Sequence, residues 1–84
     1  MKDIEAKPGD VVFRTEYDIS NALEWQLYKK SLQQELTDDA EELGDREVKV
    51  NGKRFSEVEA TARIGVKPGA REVTGKFVVE FVLD

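Results

Sequence analysis

The stretch that decides the fold is Val58-Glu59-Ala60-Thr61-Ala62-Arg63-Ile64-Gly65-Val66-Lys67-Pro68-Gly69-Ala70-Arg71-Glu72-Val73-Thr74-Gly75-Lys76-Phe77-Val78-Val79-Glu80-Phe81-Val82-Leu83. Its first half alternates strictly, with apolar residues at 58, 60, 62, 64 and 66. Its second half alternates again, through Val73, Gly75, Phe77, Val79, Phe81 and Leu83. Alternation with a period of two marks strands with one apolar face. Lys67-Pro68-Gly69-Ala70 between them is a turn signal. If Lys67 pairs with Ala70, Ile64 faces Val73, Ala62 faces Gly75, Ala60 faces Phe77 and Val58 faces Val79. A slip by one residue would turn one strand's apolar set into water, so that pairing is the expected register.

Upstream, Val48-Lys49-Val50-Asn51-Gly52-Lys53-Arg54-Phe55 reads as a tight hairpin, because Asn-Gly suits a type I′ turn. A two-residue loop sets Val48 opposite Phe55 and keeps odd-numbered residues on the core face. From Val58 onward the apolar residues are even-numbered. One extra residue at Ser56 or Glu57, a β-bulge, would reconcile the two. The alternative is a chain break that leaves the Asn-Gly hairpin as a separate small unit.

Before this hairpin lies a helical pattern. Ala22, Trp25, Tyr28, Leu32, Leu36, Ala40 and Leu43 recur at spacings of three and four, predicting a helix from about Ile19 to Leu43. Asp18 or Ser20 is placed to cap it, and Gly44 sits where a C′ glycine belongs. Thr37-Asp38-Asp39-Ala40-Glu41 also suits a restart, with Asp38 as cap and Glu41 as its capping-box partner. A continuous helix and a break near Thr37 both fit. Further upstream, Val11, Phe13, Thr15 and Tyr17 alternate with polar residues and predict a first strand of about seven residues. Residues 1–10 form a lead-in ending in the turn Lys7-Pro8-Gly9-Asp10.

The expected architecture is α+β: one long helix packed across a four-stranded, mostly antiparallel sheet, in the order β-α-β-β-β, within a single domain over residues 1–84. That order is similar to that of the cystatin family. The resemblance covers element order only. The Gln-x-Val-x-Gly loop of such inhibitors is replaced here by Asn51-Gly52, and no cystatin function is carried over.

Composition narrows the chemistry. The chain has no cysteine and no histidine. Disulfides, thiolate metal sites and thiol catalysis are excluded, along with the commonest general base. Thirteen basic residues against eighteen acidic ones give a net charge of −5. That balance argues against a broad nucleic-acid or anionic-membrane surface. No apolar run is long enough to span a membrane, and the first residues lack a signal-peptide core. A cytoplasmic protein is the expectation.

Glu35, Asp38, Asp39, Glu41, Glu42, Asp45 and Glu47 form the densest charge cluster. The calcium-loop spacing is absent from it, so a solvated helix end or a site for a basic partner remains. Basic residues sit at two turns, Lys49, Lys53 and Arg54 at one, Lys67 and Arg71 at the other. Without interleaved aromatics they offer no stacking platform for nucleic acid. Glu57 and Glu80 fall opposite each other in the expected register; a like-charge pair on an exposed sheet is the ordinary reading, a catalytic pair the other. Ala60, Ala62 and Gly75 cluster on the core face, where small residues let a helix approach, with Trp25 or Tyr28 filling the space. The same triplet would also fit a small pocket.

These readings converge on a non-catalytic protein-interaction module without metal or other cofactor, working through a protein partner or self-association. The partner-binding candidates are two. Ile19, Leu23 and Leu27 form a second apolar line on the helix, about 150° from the main stripe. Asp38, Asp39, Glu41 and Glu42 are the acidic candidates. A rival function is a small acidic inhibitor occupying the nucleic-acid-binding surface of an enzyme. A third reading is a designed scaffold with no native task, suggested by the turn chemistry and the absence of cysteine and histidine.

Overall fold

The computed structural model describes residues 1–19, 22–68 and 75–84, with side chains omitted at 22–26, 28, 67 and 68. The two long alternations form strands as their period requires, but the pairing differs from the expected one. Strand β5 (Ala60–Pro68) and strand β6 (Gly75–Leu83) are antiparallel, with Ile64 opposite Val79, Ala62 opposite Phe81 and Ala60 opposite Leu83. Ile64 thus meets Val79 where the sequence pattern pointed to Val73, a shift of six residues. Residue 73 lies outside the described residues, as do Gly69 and Ala70 of the expected turn. The shift is even, so every apolar residue keeps its face. Only odd slips are penalised by burial, and the choice among even registers is left to packing. Here the selected register sets Val66 against Phe77 and Ile64 against Val79.

The other strands are β1 (Lys2–Ile4), β2 (Val11–Ile19), β3 (Val48–Val50) and β4 (Lys53–Arg54), and the helix is α1 (Ala22–Glu47). The α+β class and the mostly antiparallel pairing stand. The single four-stranded sheet does not. Among the described residues two three-stranded sheets form instead, in the orders β1-β3-β4 and β2-β6-β5. The lead-in supplies one strand: β1 pairs in parallel with β3. The element order therefore departs from the cystatin-like one. Three residues, Lys2-Asp3-Ile4, are too few to show a period, which is why the strand was not legible.

The Asn-Gly hairpin is as expected. Val50 pairs with Lys53, and Asn51 (φ +53°) and Gly52 (φ +78°) both take the positive φ of a type I′ turn. After Arg54 the chain leaves the sheet through a 3₁₀ turn, Phe55–Glu57. The bulge expected at Ser56 or Glu57 is absent, and this turn separates the two sheets. A register irregularity occurs elsewhere, between Val11 and Phe13. It carries Val12 into the core at 3% exposure while Val11 stays outside.

Helix α1 runs unbroken past Thr37, whose hydroxyl donates to the Gln33 carbonyl (2.7 Å). Asp38 accepts from Gln34 (2.9 Å) and caps nothing. Ile19, expected to open the helix, belongs instead to β2, opposite Gly75, and the helix is described from Ala22. The capping candidate Ser20 lies outside the described residues. Gly44 is not a C′ glycine; it lies buried inside the helix, which continues to Glu47 and passes directly into β3.

The core gathers Phe77, Val79 and Phe81 of β6 with Val12, Ala40, Val48, Val50 and Phe55. Phe55 packs edge-on against Phe13 and Phe81, at ring-centre distances of 6.0 and 5.1 Å. On the opposite face of β2-β6-β5, charges alternate in sign. Arg14 bridges Glu16 and Glu80 (3.3 Å to Glu80), Arg63 reaches Glu80 (3.6 Å) and Lys76 reaches Glu16 (3.5 Å). The expected Glu57–Glu80 pair is thereby corrected: Glu80 lies opposite Arg14 and Arg63. Val78 sits among these residues and is buried despite facing away from the main core.

Candidate interaction surface

Alternation dictates that Ala62, Ile64 and Val66 share the face of Phe77, Val79 and Phe81. Cover over that face ends within β5, past Ala60, which is partly buried and packs against the core. The β6 residues are buried, whereas Ala62 is exposed, Ile64 is 47% exposed and Val66 46%. Helix α1 packs against β2, β3 and the 3₁₀ turn. Strand β5 is also an edge: it pairs with β6 on one side and, among the described residues, with nothing on the other. The result is an apolar strip beside an open row of backbone donors and acceptors. Across the strand from this strip lie Thr61 and Arg63. The Thr61 hydroxyl donates to Asp84 (2.5 Å).

The small triplet is not a cluster. Ala62 lies opposite Phe81, while Gly75 lies at the far end of the sheet, between Ile19 and Pro68. Ala62 is exposed, and the side chains of Trp25 and Tyr28 lie outside the described residues.

Of the apolar helix line, Leu27 is 66% exposed. Ile19 is half-buried in β2 and packs against the core, and the Leu23 side chain lies outside the described residues. Ile19 and Leu27 therefore do not share one helix face.

The acidic candidates divide by their partners. Asp39 accepts the Tyr17 hydroxyl (2.7 Å). Burial, and then the Asp39 carboxylate beside it, push the Tyr17 phenol up to about 12. Asp45 accepts the Ser56 amide (3.2 Å) and an Arg54 guanidinium hydrogen (3.0 Å). Hydrogen bonds from Ser56, followed by Arg54, hold the Asp45 carboxyl below its ordinary range. These two acids tie the helix to β2 and to the 3₁₀ turn. Asp38, Glu41 and Glu42 are left exposed, around a shallow depression completed by Asp45, Arg46 and Ser56. Among the described residues no group of three or more acidic side chains is arranged to hold a metal ion. Of the basic turn residues, Arg54 is engaged with Asp45; Lys49 and Lys53 are exposed.

The β5 strip is the feature that sequence reading missed. Alternation reports which residues share a face, not whether anything stands over it. Among the described residues no helix is long and apolar enough to cross a membrane. Comparison with models of known protein families, with curated proteins and with solved structures finds no match.

Proposed function

We propose that this chain is a non-catalytic protein-interaction module whose principal contact surface is the β5 strip. One observation carries the reading: Ile64 and Val66 lie on the same sheet face as the fully buried Phe77 and Val79, yet remain nearly half exposed. Leaving two branched aliphatic side chains in water forgoes roughly 1 kcal/mol or more of burial each. Their placement beside an unpaired edge suits a protein partner, which would cover the side chains and pair with the backbone together.

The exposed acids Asp38, Glu41 and Glu42 support a second reading, in which this rim occupies the basic, nucleic-acid-binding surface of an enzyme. Salt separates the two. A pull-down with the full chain, followed by light scattering of the captured complex, tests both. On the first reading Ile64→Lys abolishes capture and added salt changes little. On the second, capture falls steeply with salt and is lost on Glu41→Lys/Glu42→Lys. If neither variant nor salt affects a complex that forms, both surfaces are wrong.

A further inference from the structure

We propose that β5 pairs with β5 of a second copy of this chain, antiparallel about a two-fold axis at Ile64, so that two three-stranded sheets become one of six. The inference rests on the interaction reading above and names its partner. Three independent features of the strand meet in this single register. Ile64 is the midpoint of β5, so centring there pairs the whole strand from Ala60 to Pro68. Residues directly opposite in an antiparallel pair share a face. Ile64 then meets Ile64 of the second copy and Ala62 meets Val66, joining the two exposed strips on one side.

Charge removes the neighbouring choices. Moving the axis to Arg63 sets two arginines opposite each other. Moving it to Gly65 sets Arg63 opposite Lys67. A shift of the axis to Ala62 or Val66 avoids this but gives up part of the strand. Centred on Ile64, Arg63 meets Gly65, and Lys67 of the second copy comes opposite Thr61, whose hydroxyl holds the carboxylate of Asp84. No acidic residue occurs between Ala60 and Pro68, so the chain's net charge of −5 is carried away from the seam. A two-fold pairing also closes on itself and leaves no edge to propagate from β5.

The other edge of that sheet is unsuited to the role. Strand β2 carries the irregularity at Val12, which twists an edge away from partners, and it is packed by α1.

The chain has no cysteine, so single cysteines report the register cleanly. The purified full chain should show a concentration-dependent rise in mass from 9.5 kDa toward twice that value in sedimentation equilibrium. Under mild oxidation Ile64→Cys should form a disulfide-linked dimer, since opposite residues fall within the reach of a disulfide. Ala62→Cys and Val66→Cys should link far faster when mixed than either does alone. Ile64→Lys should sediment as a monomer with an unchanged circular dichroism spectrum; if it unfolds, the cysteine series decides. A monomer at every concentration overturns the proposal. So does a dimer in which Leu27→Cys cross-links and Ile64→Cys does not. A monomer that still captures a partner through β5 removes self-pairing alone, whereas a monomer whose capture ignores Ile64→Lys removes the β5 surface altogether.

Discussion

The ring of Phe55 lies against the backbone of α1 at Gly44, so closely that a β-carbon on Gly44 would stand 2.9 Å from Phe55 Cε1. This is why a glycine occupies the interior of a helix. The ring cannot retreat, because it is buried between Phe13 and Phe81. Gly44→Ala should therefore destabilise, although alanine is the better helix former by about 1 kcal/mol. Overpacking of about 1–3 kcal/mol outweighs that gain. A lower urea midpoint is expected. A higher one would mean that Phe55 does not occupy this groove.

Ala62 tests the hairpin register. In the pairing suggested by the turn, Ala62 faced Gly75 beneath the helix, and a large residue there would overpack. In the structure it lies exposed opposite Phe81. In an Ile64→Lys background, where self-pairing is removed, Ala62→Phe should change stability by no more than about 0.5 kcal/mol, as surface substitutions do. Cross-strand nuclear Overhauser effects should join Ala62 to Phe81. A loss of several kcal/mol, or contacts from Ala62 to Gly75, would restore the other register.

Tyr17 gives a pH signature. Its phenol is raised to about 12 in the folded chain by burial and by Asp39, against about 10 for an unfolded chain. The protonated form is thus favoured by folding. That contribution is fully present below about pH 10 and is lost as pH rises through the folded value. A tyrosinate absorbance titration in a Tyr28→Phe background should show the raised midpoint. Asp39→Asn should bring it part of the way back, with burial holding the remainder. An ordinary midpoint in the parent chain would dismiss the Tyr17–Asp39 bond.

Asn51 does more than turn the hairpin. Its side chain accepts from the Ala6 amide (2.9 Å) and donates to the Ala6 carbonyl (3.0 Å), fastening residues 1–10 to the small sheet. Asn51→Gly keeps the positive φ and loses the two bonds, a cost of about 1 kcal/mol. Asn51→Ala adds about 1–2 kcal/mol of left-handed strain. Both should speed exchange of the Ala6 amide. Protection unchanged in the glycine variant would show that the side chain is not the tie.

What the chain determines by itself is local. The periods of two in β5 and β6, the period of 3.6 in α1 and the Asn51-Gly52 turn were all legible, because each depends only on near neighbours. A period names a face and is silent about the partner. An even shift along a strand leaves every face unchanged, so the choice of Val79 over Val73 opposite Ile64 belongs to tertiary packing. The same limit hid the parity change at Val12, the division into two sheets after Phe55 and the role of Gly44 as a seat for an aromatic ring. It also hid the exposed strip. Ile64 and Phe77 read alike in the sequence, as apolar residues of one face. Only the extent of the elements packed over that face decides that Phe77 is buried and Ile64 is left 47% exposed.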